Sequence, residues 1–468
     1  MNVHDPQFID MLYLAAAALF IVGLRRLGSP RTARSGNTVA GVGMAIGIAA
    51  TLLLEGFDFQ GVGFVLIVVG VLIGTVAGVV SARAVKMTAM PQMVAFFNGL
   101  GGGCVALISM AEYQTFLESG HGASTTTLVG IALGSLIGAV SFTGSIIAFA
   151  KLQELLSGRP ITWPLQRTGN ALLLLAAVVL GAWLVAGAED STAMLVLVAI
   201  AAVLGVCVVL PIGGADMPVI ISLLNSLTGL AACAAGFALG NSLLIVAGII
   251  VGASGFLLTK MMGEAMNRTI ASVLFGAFGG DGGQAGGALT QGTVRVAGAE
   301  DVAIMLAYSR RVVVVPGYGL AVAQAQHTVR ELSDLLESKG VHVTYGIHPV
   351  AGRMPGHMNV LLAEANVPYE QLKEMDEVNP EFKQTDVVLV IGANDVVNPS
   401  AKTEPGSPLY GMPVLNVEEA KAVVVMKRGM STGFAGVDNP LFVAPNTQML
   451  FGDAKASLSE LVTAVGAV

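Results

Sequence analysis

The stretch Arg311-Val-Val-Val-Val-Pro-Gly-Tyr-Gly-Leu320 decides the fold of the C-terminal part of the chain. Four consecutive valines are typical of a strand buried on both faces of a parallel sheet. The Gly-Tyr-Gly that follows predicts a tight turn into a helix, which we expect to run to about Ser338. The sequence therefore predicts an α/β domain that opens with a buried strand and a glycine turn.

Five stretches downstream also have the apolar, β-branched composition of strands. They are Val341–Ile347, Val387–Ile391, Val414–Val417, Ala422–Met426 and Leu441–Ala444. Strands that alternate with helices form a doubly wound, Rossmann-like sheet, and such sheets bind ligands beyond the carboxyl ends of their strands. The loops that follow the strands are therefore the candidate binding site.

The first of these loops resembles a dinucleotide-binding fingerprint. Its residues run Gly317-Tyr-Gly319-Leu-Ala-Val322, so a valine stands where the fingerprint has its third glycine. A purely structural turn remains an alternative for this loop alone. Three further glycine-containing loops support a nucleotide site, namely His348-Pro-Val-Ala-Gly-Arg-Met-Pro-Gly-His357, Gly392-Ala-Asn-Asp-Val-Val-Asn-Pro399 and Lys427-Arg-Gly-Met-Ser-Thr-Gly-Phe434.

The charges after the strands favour one cofactor. An NAD(H) site usually places an acidic residue after the second strand to bind the ribose hydroxyls. Here that strand leads into His348, Pro349 and Arg353, without an acid. Lys427 and Arg428 could instead hold a 2′-phosphate. The sequence therefore predicts NADP(H) rather than NAD(H).

Upstream of the domain, the composition changes twice. The glycine-rich stretch 276–287 is typical of a flexible linker, and Arg295–Tyr308 is a candidate short helix. Before the linker the chain is almost continuously apolar. We therefore predict a membrane domain over residues 1–264, a hinge over 265–294 and a nucleotide-binding domain over 295–468.

The apolar half contains nine stretches close to the length that a bilayer requires. The whole chain is 54% hydrophobic and 12% charged, with a mean hydropathy of +0.75. We expect the first stretch to be a retained anchor rather than a signal peptide, since its arginines follow it. The predicted spans are Phe8–Leu24, Thr38–Leu54, Gly61–Ser81, Pro91–Met110, Thr126–Phe149, Asn170–Ala186, Thr192–Leu210, Met217–Leu239 and Ser242–Met262.

The charges between the spans predict their orientation. Basic residues follow only the odd-numbered spans, and the loops on the other side contain acidic residues and no basic ones. By the positive-inside rule, the N-terminus lies outside and the C-terminal domain lies in the cytoplasm. A net charge of −7 argues against a nucleic-acid partner. The basic residues are Arg25, Arg26, Arg31, Arg34, Arg83, Lys86, Lys151, Arg159, Arg167, Lys260 and Arg268.

Small and polar residues inside the spans predict how the helices pack and what they conduct. Glycines spaced by four indicate close helix packing; they are Gly43 with Gly47, Gly70 with Gly74 and Gly78, Gly130 with Gly134 and Gly138, and Gly248 with Gly252. Asn98, Asn225 and Asp216 are polar groups at membrane depth or at its border, and they indicate a hydrated path. Hydrogen bonding between helices is the alternative for each of them.

No span contains a histidine, and the three cysteines are expected to be apolar packing residues without a metal or disulfide role.

The motifs together resemble those of the proton-translocating nicotinamide nucleotide transhydrogenases, over essentially the whole chain. The loops quoted above carry the resemblance, with Val437-Asp-Asn-Pro440, Gly452-Asp-Ala-Lys455, Gly213-Gly-Ala-Asp-Met-Pro218 and Ala265-Met-Asn-Arg268. The resemblance implies a beta subunit that binds NADP(H) in a bacterial inner membrane. It also implies an alpha subunit that binds NAD(H), a dimer of alpha–beta units, and direct hydride transfer between the nucleotides, so that no catalytic side chain is assigned.

The resemblance also implies contacts with the cofactor and proton movement through the membrane domain, and the polar residues Asn98, Asp216 and Asn225 are the candidates for that path. Some family members carry a histidine where this chain has Asn98, which cannot titrate. A channel or transporter regulated by a cytoplasmic NADP(H) domain is the alternative function. The residues implied to contact NADP(H) are Gly317, Tyr318, Gly319, Val350, Ala351, Gly352, Arg353, Met354, Pro355, Gly392, Ala393, Asn394, Asp395, Val396, Lys427, Arg428, Gly429, Met430, Ser431, Thr432, Gly433, Phe434, Asp453 and Ala454.

Overall fold

The structure is a computed structural model that divides the chain into two compact units, Met1–Thr259 and Lys260–Val468. Most of the predicted hinge lies outside the described residues, so the division into three parts stays a prediction. The structure describes every residue except 1–5, 54–60, 86–88, 120–123, 154, 158–159, 214–215, 266–268, 276–292, 353–355, 406, 408 and 434.

In the first unit, nine helices of the described residues are long and apolar enough to cross a membrane, which confirms the predicted spans. One of them continues past the predicted end at Met110 to Ser119. On this additional stretch Tyr113 is buried and donates a hydrogen bond to Ala188 O at 2.6 Å. The helices are α1 (Pro6–Leu27), α2 (Pro30–Leu52), α3 (Val62–Ala84), α4 (Met90–Ser119), α5 (Thr125–Leu152), α6 (Gln166–Val185), α7 (Ser191–Val209), α8 (Met217–Leu239) and α9 (Ser242–Ala265).

Helix α5 lies at the centre of this unit and packs against α4, α7 and α8. A Cβ atom on Gly138 would lie 2.7 Å from Gly102 O, and one on Gly130 would lie 2.6 Å from Ala234 O. Both distances are shorter than a carbon–oxygen contact allows, so a larger residue would push the helices apart. The close packing predicted for this row of glycines is confirmed.

The same prediction is wrong for α3 within this chain. A Cβ atom on Gly70, Gly74 or Gly78 would meet no atom within 4 Å, and α3 buries none of its residues. The glycine spacing is present, but the described helices of the chain provide no neighbour on that face. Spacing alone therefore does not show which helix is packed.

The second unit contains a six-stranded parallel sheet with the order β3-β2-β1-β4-β5-β6. This is the strand order of a doubly wound dinucleotide-binding sheet, with the order reversing between β1 and β4. The predicted Rossmann-like fold is confirmed. The strands are β1 (Arg311–Pro316), β2 (His342–Ile347), β3 (Leu372–Glu374), β4 (Val387–Ile391), β5 (Ala422–Lys427) and β6 (Thr447–Phe451).

Two predicted strands are wrong and two observed strands were not predicted. Val414–Val417 is irregular chain leading into a short 3₁₀ turn, and Leu441–Ala444 coincides largely with another, Pro440–Val443. Leu441 is buried in this turn, as it would be in a strand. The apolar run therefore could not distinguish a strand from a buried turn. The missed strands β3 and β6 lie at the two edges of the sheet, where composition is less apolar.

The predicted helix after the first turn is interrupted, because Gln324 has a left-handed φ of 50° between two helical segments. The segments are α12 (Tyr318–Val322) and α13 (Gln326–Ser338). The core of this unit lies against the central strands, and Val313, Val388 and Phe382 are among its fully buried members. The other helices are α10 (Ile270–Phe275), α11 (Ala299–Ala307), α14 (His357–Glu364), α15 (Met375–Val378), α16 (Ser400–Thr403) and α17 (Ala454–Ala467).

Candidate functional site

The carboxyl ends of the strands bring the predicted loops to one edge of the sheet. Pro316 is in register with Ile391, and Ile391 is in register with Met426. Lys427 is likewise in register with Phe451. The loops after β1, β4, β5 and β6 therefore begin side by side, around the point where the strand order reverses.

The turns after β1 and β4 touch backbone to backbone. The Gly319 N–H donates to Gly392 O at 3.0 Å, and the Gly317 N–H donates to Ile391 O at 2.9 Å. A Cβ atom on Gly317 would lie 2.4 Å from Ala393 Cα, and one on Gly392 would lie 2.4 Å from Gly319 Cα. Glycines are therefore required here, because a side chain at these positions would force the two turns apart, and doubly wound sheets bind ligands in the crevice at this point of the sheet.

The Asp395 carboxylate faces the loop that follows β5. Its Oδ2 accepts a hydrogen bond from the Ala435 N–H at 2.9 Å. A Cβ atom on Gly433 would lie 2.1 Å from Asp395 Oδ1, so only glycine at position 433 allows this approach. The loops after β4 and β5 therefore form one connected wall of the crevice.

Asn439 is hydrogen-bonded to the loop after β4, although it was not among the predicted contact residues. Its Nδ2 donates to Asn394 Oδ1 at 3.0 Å and to Asn394 O at 3.1 Å. The Nδ2 of Asn394 is buried and has no acceptor among the described residues, which leaves a donor for a ligand. The only sequence signal for Asn439 was its place in the motif Val437-Asp-Asn-Pro440.

Lys427 is half-buried and already engaged within the chain. Its Nζ donates to Ser431 O and lies 5.0 Å from the centre of the Phe442 ring. Burial lowers the pKa of Lys427 from its usual value, and the nearby Asp395 charge opposes that effect. Lys427 therefore shapes the loop after β5, in addition to any contact that it makes with a ligand.

The residues that follow Lys427 are accessible. Arg428, Met430, Ser431 and Thr432 are all exposed. An exposed guanidinium beside two hydroxyls suits a phosphate, because arginine and hydroxyl groups donate several hydrogen bonds to it. These residues therefore fit the 2′-phosphate of NADP(H), the feature that distinguishes it from NAD(H).

The loop after β2 is held by a buried histidine. His348 is 1% exposed, its Nε2 donates to Pro413 O at 2.7 Å, and its Nδ1 accepts from the Val350 N–H at 3.2 Å. Burial lowers the pKa of His348 to about 4, although the bond to Pro413 opposes it. The ring is therefore neutral at physiological pH, and it positions the loop rather than binding an anion.

The rest of that loop is only partly described. Ala351 is buried, and Gly352 has a φ of +104°, where a Cβ atom would lie 2.5 Å from Nδ1 of the His357 ring. The predicted contacts Arg353, Met354 and Pro355 lie outside the described residues, as does Phe434. Tyr318 and Val350 are half-buried at the same edge of the sheet.

Asp453 caps the last helix of the domain. Its Oδ1 accepts from the Lys455 N–H at 3.0 Å and from the Ala456 N–H at 3.3 Å, at the N-terminus of α17. The Gly452 N–H donates to Lys427 O at 3.0 Å, which ties this terminus to the loop after β5. Asp453 and Ala454 therefore lie beside the predicted phosphate-binding loop.

In the membrane unit, Asn98 belongs to a polar cluster shared by three helices. Its Nδ2 donates to Ser145 Oγ at 2.9 Å, which joins α4 to α5. Ser141 Oγ donates to Leu224 O at 3.0 Å and lies 2.5 Å from Thr228 Oγ1, which joins α5 to α8. Asn98 thus has the interhelical hydrogen bonds that the sequence offered as the alternative to a hydrated path.

The other two predicted path residues belong to α8 and its N-terminus. Asn225 is exposed on α8, and among the described residues no hydrogen bond joins it to Asn98. Asp216 stands at the N-cap position of α8, where its N–H donates to Gly213 O at 3.1 Å. A path through all three therefore stays a proposal.

A membrane unit with nine apolar helices and a separate doubly wound sheet with a glycine-lined crevice define a class: membrane proteins with a dinucleotide-binding domain. The chain matches the family model for the NAD(P) transhydrogenase beta subunit over residues 9–464. It is 49% identical over 459 residues to the NAD(P) transhydrogenase subunit beta of Rhodospirillum rubrum, covering 97% of this chain and 98% of that protein. A second sequence of that name, from a named strain of the same species, matches equally well. The chain belongs to the NAD(P) transhydrogenase beta subunit family, a family of oxidoreductases.

Proposed function

We propose that the crevice at the carboxyl edge of the sheet binds NADP(H) and that the chain couples hydride transfer to proton movement across a membrane. The observation that carries the proposal is the contact between the turns after β1 and β4, beside the exposed Arg428. The glycines admit a pyrophosphate and the guanidinium fits a 2′-phosphate. The absence of an acid after β2 supports NADP(H) over NAD(H).

The hydride donor is NADH bound to an alpha subunit, which the family name beta subunit implies as a partner. NADH transfers a hydride to NADP⁺, giving NAD⁺ and NADPH, so the two cofactors supply both the electrons and the acceptor. The residues of this chain therefore have the task of binding and orienting NADP⁺ for direct transfer. The contact residues are those named from the sequence.

Proton movement supplies the driving force, and we place its route near Asn98, Asn225 and Asp216. Polar groups are costly at membrane depth, which supports a functional reason for keeping them there. The distribution of basic residues supports a bacterial inner membrane with the N-terminus outside and the NADP(H) domain in the cytoplasm. Two alpha–beta units form the complete enzyme.

The test uses the chain assembled with its alpha partner in membrane vesicles. We expect NADH-dependent reduction of NADP⁺ that becomes faster when a proton gradient is imposed, together with NADPH binding that NADH cannot displace. Competition by NADH as strong as that by NADPH would overturn the cofactor assignment. A gradient without effect on the rate would overturn the coupling. Proton flux that needs NADPH but no hydride transfer would support the regulated channel instead.

A further inference from the structure

Lys151 is buried at the end of α5, although lysine normally keeps its amine in water. Its side chain is 3% exposed. The Nζ donates to the carbonyl oxygen of Leu210 and, at 2.7 Å, to that of Ile212. The amine thus spans from α5 to the chain segment that directly follows α7 (Ser191–Val209).

Among the described lysine, arginine, aspartate and glutamate residues, only Lys151 is buried. No described carboxylate forms a salt bridge with its amine. Removing an ammonium group from water is costly, even when it is hydrogen-bonded. The C-terminal carbonyls of a helix carry partial negative charge, which recovers part of that cost. A residue kept at such a cost indicates a role beyond filling space.

A neutral side chain already stabilises the same end of α7. Gln166 is 2% exposed, and its Nε2 donates to Cys207 O at 3.0 Å, one turn before the carbonyls that Lys151 contacts. Asn170 Nδ2 also donates to Cys207 O, at 3.3 Å, so neutral side chains satisfy this carbonyl without a charge. Lys151 differs from Gln166 in reaching past the helix to Ile212, inside the turn before α8.

Asp216 is hydrogen-bonded to that turn. The Asp216 N–H donates to Gly213 O at 3.1 Å, and Asp216 is the N-cap residue of α8. Leu210 is the C-cap residue of α7, so the two carbonyls bound by Lys151 lie between the end of one helix and the start of the next. Fixing them fixes where α8 begins.

We propose that Lys151 is a positioning residue of the proton route, which holds the turn Leu210–Gly213 and thereby keeps Asp216 in place at the start of α8. The inference rests on the proposed function of Asp216. Without the amine, Ile212 O loses its donor and Leu210 O keeps only the Ile161 N–H, at 3.2 Å, so the turn is held by fewer hydrogen bonds. Proton-coupled turnover should then fall, while hydride exchange between nucleotides already bound should continue, because its groups belong to the soluble domains.

The test compares Lys151→Met with Gln166→Met in the assembled alpha–beta enzyme in vesicles. Both changes replace a buried polar side chain by an unbranched apolar one of similar length at the same helix end. For Lys151→Met we expect proton-driven NADPH formation to fall about tenfold or more, with hydride exchange between bound nucleotides within about twofold of wild type. Gln166→Met should leave both within about twofold, and Lys151→Arg should recover much of the loss, because arginine keeps the charge and the donors.

A cysteine at position 213 reports on the turn independently of activity. A Cβ atom there would meet only Pro160, at 3.8 Å, so Gly213→Cys fits without strain. In a background with Cys104, Cys207 and Cys233 replaced by alanine, a water-soluble maleimide should alkylate this cysteine about tenfold faster in Lys151→Met than in the chain with Lys151, because alkylation samples the opened turn. Gln166→Met should leave that rate unchanged.

The outcomes separate the two proposals. A wild-type enzyme whose hydride transfer ignores the proton gradient would overturn the proposed function. A coupled wild type with normal coupling in Lys151→Met would overturn the inference about Lys151 alone. Two further results would show that Lys151 only supports the helix end and would also overturn the inference. One is an equal loss of coupled turnover and hydride exchange in Lys151→Met. The other is a loss of coupled turnover with hydride exchange retained in Gln166→Met.

Discussion

At the scale of single residues, two neighbouring basic side chains have different surroundings. Lys427 is the last residue of β5 and is held by Ser431 O and the Phe442 ring, whereas Arg428 is exposed. Successive side chains of a strand point to opposite faces, so one of the pair turns inward and the next turns outward. Arg428 is therefore the better candidate for the 2′-phosphate, and Lys427 supports the loop that carries it.

Arg428→Ala should weaken NADPH binding by about 1.5–3 kcal/mol, the contribution of a hydrogen bond to a charged group. Binding of NADH should remain equally poor, because NADH lacks the phosphate. Lys421→Ala is the matched control: Lys421 is an exposed base at the other end of β5, bound to Asp386 at 2.7 Å. Calorimetric titration with NADPH and NADH compares the wild-type domain from Arg295 onward with Arg428→Ala and Lys421→Ala. An unchanged NADPH affinity in Arg428→Ala would remove that residue from the site.

His348 should make the stability of the nucleotide-binding domain depend on pH. Its pKa is lowered to about 4 in the folded domain, against an ordinary value of 6.5. The unfolded chain therefore binds the proton first, and the free energy of unfolding falls as pH decreases from about 6.5 to about 4. The total loss should be about 3 kcal/mol, since each pKa unit corresponds to about 1.4 kcal/mol.

Urea unfolding of the domain at pH 7.5, 6.0, 5.0 and 4.5 measures this dependence. His348→Gln keeps a donor toward Pro413 O but cannot titrate. Its free energy of unfolding should be lower than that of the wild type at pH 7.5 and should change less with pH. Asp386, whose pKa is lowered chiefly by Lys421, loses its contribution only at more acidic pH and does not mask the effect. Parallel curves for the two proteins would contradict the assignment.

At the scale of elements, the crevice depends on two turns that touch without side chains. Gly392 has a φ of +64° and would place a Cβ atom 2.4 Å from Gly319 Cα. Gly340 also has a positive φ, of +87°, but a Cβ atom there would meet nothing within 4 Å. The two glycines therefore separate the cost of the backbone conformation from the cost of the contact.

Gly340→Ala should lower the stability of the domain by about 1 kcal/mol, the cost of a left-handed conformation for alanine, and leave NADPH binding intact. Gly392→Ala should carry that cost and also force the turns after β1 and β4 apart, so NADPH affinity should fall by about tenfold or more. Urea unfolding and nucleotide titration of both variants provide the measurement. Equal NADPH affinities would mean that the contact between the turns does not shape the site.

At the scale of the whole molecule, the distribution of basic residues predicts how the chain crosses the membrane. Ser119 is the last residue of α4 and is exposed, and Ser29 immediately precedes α2. In a background without the native cysteines, Ser119→Cys should react with an impermeant thiol reagent added outside, and Ser29→Cys should not. Labelling of both positions from one side would refute the alternation of inside and outside loops.

Coupling is also a property of the whole molecule. Asn225→Leu should abolish proton pumping and proton-driven NADPH formation, because leucine cannot hold water or donate hydrogen bonds in the route. Hydride exchange between bound nucleotides should survive. Leu230→Ala, at another exposed position of α8, is a control for general disturbance of the helix surface. Proton uptake and hydride exchange are measured in the same vesicles, and normal pumping in Asn225→Leu would place the route elsewhere.

The sequence by itself determined the classes of structure: nine apolar helices long enough to cross a membrane and a buried parallel sheet, with the candidate nucleotide site at its carboxyl edge. Spans of apolar residues and runs such as Val312–Val315 carry that information, because burial on all sides is a property of local composition. The loops at the site were predictable for the same reason, since each follows a strand along the chain. Composition was insufficient at Leu441–Ala444, where a buried turn and a strand have the same apolar pattern.

Only the tertiary structure decided which of these segments touch. The approach of Asp395 to Gly433, the bond from His348 to Pro413 and the burial of Lys151 against Ile212 each join residues far apart along the chain. The equal glycine spacings of α3 and α5 likewise led to an empty face in one helix and close packing in the other. The physical reason is that a contact depends on the neighbour that folding brings to a residue, and local sequence fixes the shape of an element without fixing its neighbour.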